Sequence, residues 1–175
     1  VDIINNTLKK MITLLFENGI DDWFIAYGTL LGIIRNNSCI DGDDDVDIII
    51  NITHYEKLKE ILIKNGFVIE YGYGINNSKN ILKTKERDEY CSVDFYCATV
   101  DTKGNFIDKW EKVIWTLCYQ DVASKNFIQK EWNGLSLNIP NNYINKLIGR
   151  YGGNWQIPQQ SKGVQPRRKL SRNVV

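Results

Sequence analysis

Residues 41 to 47 read Asp-Gly-Asp-Asp-Asp-Val-Asp and run straight into Ile48-Ile49-Ile50, so five carboxylates crowd seven positions at the entrance to an apolar segment. Apart from Asp47, Val46 to Ile50 is β-branched and reads as a strand. On the two-residue period of a strand, Asp45 and Asp47 share one face, roughly 7 Å apart at Cα, while Val46 and Ile48 turn to the core. Like charges this close repel and raise one another's pKa unless a cation or several donors offset them, so a bound metal is the economical explanation. Oxygen-only ligands suit Mg²⁺ or Mn²⁺, which keep water and substrate phosphates in their remaining positions. A calcium loop fails the count: from Asp41 the sixth position is Val46 and the twelfth is Ile52, where Gly and Glu are needed. A solvated acidic turn is the bland alternative, but Asp47 lies too far into an apolar run to be surface decoration.

Two further features bear on this site. Asp94, in Ser92-Val93-Asp94-Phe95-Tyr96, is another lone acid inside a strand pattern. It joins Asp45 and Asp47 only if the two strands lie side by side. Upstream, Gly28-Thr29 stands where the strand Trp23 to Tyr27 turns into a helix with Leu30, Leu31, Ile33 and Ile34. Amides at a helix N-terminus favour an anion such as phosphate, and Arg35, two turns later, offers a bidentate contact.

Around these residues the periodicity predicts a helix over 3–18 that stops at Gly19. Thr53 and Glu56 make a capping-box pattern for a helix through Lys64, ended at Gly66. Short strands follow at 67–71, 81–83, 92–100, 113–117 and 135–139. After Pro140, a last helix carries Tyr143, Ile144, Leu147, Ile148 and Tyr151 and ends at Gly152-Gly153. The order is α+β or mixed α/β, and 175 residues suit one domain, over 1–160, followed by a basic, flexible tail over 161–175.

Composition narrows the function classes. Net charge is +1, and the tail holds Lys162, Arg167, Arg168, Lys169 and Arg172 with no acid; taking those five charges away leaves residues 1–160 at −4. That balance does not describe a nucleic-acid-binding surface. Cys39, Cys91, Cys97 and Cys118 show no C-x-x-C pairing and His54 is the sole histidine, so a zinc site has little to draw on and buried free thiols are expected. No apolar run approaches a membrane span and the first residues read as an amphipathic helix, which predicts a cytoplasmic protein.

Gly28-Thr29-Leu30-Leu31-Gly32, then Arg35, then Asp43-Asp44-Asp45-Val46-Asp47-Ile48 resemble the signature of the LicD family, which includes fukutin-type transferases within the nucleotidyltransferase-fold superfamily. Ile139-Pro140, Tyr143, Leu147, Tyr151-Gly152, Trp155 and Pro158 resemble its C-terminal block. The resemblance implies a mixed sheet flanked by helices, a glycine turn holding phosphate, and metal-holding acids at Asp45, Asp47 and Asp94. It also implies transfer of phosphocholine or a polyol phosphate from a CDP-linked donor to a glycan hydroxyl, with CMP leaving. The chain departs from the pattern at Ile40-Asp41-Gly42, where the family usually has Ile-Pro-Trp. Two other readings stand beside it: nucleotidyl transfer from an NTP donor, with pyrophosphate leaving, and a non-catalytic module that binds metal or nucleotide. The intact acid set argues against the last.

Overall fold

The computed structural model describes residues 2–72, 74, 75 and 78–159. The first helix, α1 (Asp2–Glu17), buries the expected stripe of Ile4, Leu8, Met11, Ile12 and Leu15. Its end is fixed by Gly19 at φ 67°, a left-handed position that glycine takes without strain. Then come β1 (Trp23–Ile25), α2 (Tyr27–Asn36), β2 (Asp45–Asn51) and, after a 3-10 turn, α3 (Tyr55–Lys64). The strands β3 (Ile81–Thr84), β4 (Ser92–Val100), β5 (Phe106–Asp108) and β6 (Val113–Trp115) complete the main sheet. A hairpin of β7 (Ile128–Trp132) and β8 (Leu135–Ile139) and the helix α4 (Tyr143–Tyr151) end the described chain.

The sheet is mixed. β1 is antiparallel to β2, β2 is parallel to β4, and β4 pairs antiparallel with β3 along its first half and with β5 at its last two residues. β2 is therefore covered on both edges, and Val46, Ile48, Ile49 and Ile50 are wholly buried. A parallel pair buried on both faces reads as a continuous apolar run, which is why the acids of this strand stand out in sequence. The register sets Asp47 directly beside Asp94.

Where the structure differs from the sequence reading, local chemistry explains it. The capping box does not form: Asn51 accepts from the Thr53 N–H and hydroxyl, Glu56 pairs with Lys79, and α3 starts only at Tyr55. The expected strand over 67–71 shrinks to a bridge at Ile69 with two backbone hydrogen bonds to the β3 edge. β7 went unread because Gln129, Lys130 and Glu131 mask its pattern; the hairpin turn Asn133-Gly134, with φ of 49° and 77°, was the available signal. β5 is too short to show a period. The basic tail foreseen for 161–175 lies outside the described residues.

Candidate active site

The parallel pairing of β2 and β4 brings Asp45, Asp47 and Asp94 together: each offers a carboxylate oxygen within 4.8 Å of the others'. Asp47 and Asp94 are buried and Asp45 half-buried. Burial, then the charges of Asp94 and Asp44, push the Asp45 carboxyl up to about 7, with Lys83 working the other way. A carboxyl held that high reports surplus negative charge in a poorly solvated place. Three hard oxygen donors with surplus charge fit a divalent cation such as Mg²⁺ or Mn²⁺.

Two side chains that the sequence reading missed temper that charge. Lys83 Nζ lies 2.6 Å from Asp94 Oδ1, because β3 sets Lys83 in register with Asp94. Burial opposes the Lys83 charge, but the bond and charge of Asp94 outweigh it and raise its pKa. The Tyr96 hydroxyl donates to Asp47 Oδ1 and Asp94 Oδ2 at 3.3 and 3.4 Å. Burial, then Asp47 and Asp94, hold that hydroxyl far above the ordinary tyrosine range, so it keeps its proton. Tyr96 was legible as the same-face neighbour two residues after Asp94, and Lys83 as a cation inside an apolar strand.

The turn before α2 meets the same cluster. A Cβ at Gly28 would lie 3.0 Å from Asp43 Oδ2 and 3.6 Å from Asp47 Oδ2, so the glycine gives the carboxylates room. Thr29 is buried, and its hydroxyl accepts the Asp47 N–H at 2.8 Å, fixing the acid's backbone. The amides of Gly28 and Thr29 belong to the first turn of α2, where a helix leaves N–H groups for partners outside it. A Cβ at Gly32 would come 2.6 Å from the Ser38 carbonyl oxygen, so α2 and the segment leading to the acids pack backbone to backbone. Asp43 lies against Gly28 rather than within the triad.

Arg35 sits in the last turn of α2, where Nη1 donates to the Trp155 carbonyl at 3.4 Å; burial lowers its pKa, with the charge of Asp43 working the other way. It ties the segment after α4 to the end of α2. Tyr27, the first residue of α2, adopts φ 47°, a conformation costing a bulky residue about 1–2 kcal/mol. Its hydroxyl donates to Asp108 Oδ2 at 2.6 Å, Trp115 Nε1 donates to it at 3.3 Å, and its ring meets those of Tyr96 and Trp115. These contacts hold the strained residue that opens the turn. Arg150 of α4 covers the same ring, its Cζ 4.5 Å from the centroid. Neither Tyr27 nor Arg150 was singled out in sequence; the signals were an aromatic before Gly-Thr and a basic residue one turn after buried Leu147.

All four cysteines are buried and free. No helix among the described residues is long and apolar enough to cross a membrane.

Comparison with known proteins agrees with this frame. The structure resembles the lincomycin-bound crystal structure of the lincosamide antibiotic adenylyltransferase LnuA, with a TM-score of 0.58 and 14% identity over 84% of this chain and 86% of that one. It also resembles the solution structure of the antibiotic-resistance factor ANT(2'')-Ia, with a TM-score of 0.50 and 14% identity over 77% of this chain and 63% of that one. Similarity at this identity establishes the fold, which is that of the nucleotidyltransferases. No curated protein matches by sequence. The model of the family described as LicD/FKTN/FKRP, nucleotidyltransferase domain, matches residues 20–149. With that match over most of its length, on a nucleotidyltransferase fold, the chain belongs to the LicD/FKTN/FKRP family of transferases.

Proposed function

We propose that this protein moves a phospho-alcohol group, phosphocholine or a polyol phosphate, from a CDP-linked donor to a glycan hydroxyl, and that Asp45, Asp47 and Asp94 hold the Mg²⁺ or Mn²⁺ the reaction needs. The observation that carries this is the gathering of three carboxylates from two adjacent strands beside the first turn of α2. The cations, when bound, would neutralise the donor diphosphate and polarise the phosphorus under attack. Gly28 and Thr29 bind donor phosphate through first-turn amides, and Thr29 also fixes Asp47. Arg35 completes phosphate binding from the far end of α2. Asp94 takes the proton from the attacking hydroxyl while Lys83 keeps its other oxygen oriented. The hydroxyl oxygen forms a bond to the phosphorus of the phospho-alcohol, the bond to the bridging oxygen breaks, and CMP leaves. Positioning and charge neutralisation supply most of the rate.

A second reading, attack on the α-phosphorus of an NTP with release of pyrophosphate, draws on one feature. Where the family usually places Ile-Pro-Trp, this chain has Ile40-Asp41-Gly42, with Asp41 and Gly42 exposed and Gly42 at φ 91°. The frame shared with adenylyltransferases fits that reading too. Incubation with CDP-alcohols and with NTPs, Mg²⁺ and a set of hydroxyl acceptors, followed by identification of the released nucleotide, separates the two. CMP supports the first reading; pyrophosphate from an NTP replaces it with the second.

The catalytic unit in this reading is one domain over residues 1–160, followed in sequence by the basic tail 161–175. It works in the cytoplasm, where its four free, buried thiols match a reducing compartment.

A further inference from the structure

Three arginines have a buried Nε with no hydrogen-bond partner among the described residues: Arg35, Arg87 and Arg150. Arg87 has other work, since its Nη1 and Nη2 donate to the Gly66 and Asn65 carbonyls and its guanidinium covers Phe67. Arg35 gives Nη1 to Trp155. Arg150 differs from both. It is 7% exposed, and among the described residues it has neither a carboxylate at ion-pair distance nor a hydrogen-bond acceptor, only the ring of Tyr27 beneath it. A ring face returns part of what an ion loses on leaving water, whereas a buried unpaired charge is strongly unfavourable. Such a guanidinium is poised for an anion.

Its place in the fold says which anion. Tyr27 precedes Gly28 and Thr29 in the first turn of α2, and its ring meets that of Tyr96 at 4.9 Å between centroids. The Tyr96 hydroxyl in turn donates to Asp47 and Asp94. Arg150 is thus one aromatic ring away from the first-turn amides and two from the acids.

We infer that Arg150 is a phosphate-binding residue, its planar guanidinium held on Tyr27 to take the diphosphate of a nucleotide donor alongside the Gly28 and Thr29 amides. This rests on the proposed use of a phosphate-bearing donor and adds the residue that grips it.

Inorganic pyrophosphate with Mg²⁺ is the probe, titrated calorimetrically into wild type, Arg150→Met and Arg150→Lys, with Mn²⁺ affinity and melting temperature measured on each. Methionine keeps the stem and removes the unpaired charge. The expected result for Arg150→Met is an unchanged or higher melting temperature, an Mn²⁺ affinity within about twofold of wild type, and pyrophosphate binding weakened by about 30-fold or more. Arg150→Lys, which keeps the charge without the fork, should fall in between and guards against a methionine variant that does not fold. A lower melting temperature with unchanged pyrophosphate affinity in either variant would make Arg150 a structural clamp and overturn the inference, as would a wild type that does not bind pyrophosphate. Failure to transfer from any CDP-alcohol would instead remove the proposed reaction and leave the Arg150 result standing.

Discussion

Asp108 and the triad of Asp45, Asp47 and Asp94 are joined through Tyr27, whose hydroxyl donates to Asp108 and whose ring meets that of Tyr96, and they are handled in opposite ways. Asp108 is fully buried, yet its oxygens accept from the Tyr27 hydroxyl and from the Trp110 and Glu111 amides at 2.6, 2.9 and 3.1 Å. Burial still lifts its carboxyl to about 6, against the pull of those donors. In the triad Lys83 donates to Asp94 and Tyr96 to Asp47 and Asp94, while Asp45 stands at about 7 under burial and the charges of its neighbours. Asp108 is closed by donors from its own protein, which is how a structural carboxylate is accommodated. The triad is left with surplus charge at the mouth of a strand pair, which is how a cation site is prepared.

The largest expected separation is in turnover. Asp47→Asn should lower transfer by about 1,000-fold or more, because a bound cation supplies several kcal/mol to the transition state. It should leave the metal-free melting temperature unchanged or higher, since one of three repelling charges is gone. Asp108→Ala should do the reverse: it leaves the Tyr27 hydroxyl and two amides without their acceptor and costs about 3 kcal/mol of stability. Measuring turnover and melting temperature on both variants breaks the comparison if the two move together.

Much of the triad was legible because β2 is buried on both faces, so Asp45 and Asp47 were anomalies in an apolar run. Asp94 was only half legible. Its strand could be read, but its adjacency to β2 is a parallel, long-range pairing that spacing does not encode. Lys83, Tyr27 and Arg150 were missed for a related reason: each acts through a neighbour distant in sequence, and none breaks its local pattern as sharply as an acid in a run of isoleucines. The helices were legible from their buried stripes, whereas the capping box failed because Asn51, outside the motif, took the Thr53 N–H first.

Smaller effects sharpen the contrast. Lys83→Met should lower the melting temperature of the metal-free protein by a few degrees, since Asp94 loses its ammonium partner in a crowded acidic site, and should tighten Mg²⁺ binding by removing a competing cation. Equal metal affinity in wild type and variant would place Lys83 outside the cluster's charge balance.

pH separates the two regions through their raised carboxyls. For Asp45 and Asp108 the folded form holds the proton more tightly than the unfolded chain, so their contribution to stability is complete below the ordinary carboxylate range. It is lost as pH rises through about 6 for Asp108 and about 7 for Asp45. The metal-free protein should therefore melt at progressively lower temperature between about pH 4 and 8. Saturating Mg²⁺ should remove the Asp45 part of that decline and leave the Asp108 part; Asp108→Asn should do the opposite. A decline unaffected by Mg²⁺ would mean the cation does not reach Asp45.

The most direct measurement is Mn²⁺ binding, followed by electron paramagnetic resonance or calorimetry, to wild type, Asp47→Asn and Asp108→Asn. The expected result is that wild type and Asp108→Asn bind Mn²⁺ with affinities within about twofold of each other, while Asp47→Asn is weaker by about 100-fold or more. Wild-type affinity in Asp47→Asn would contradict the assignment of Asp45, Asp47 and Asp94 as the metal-holding site.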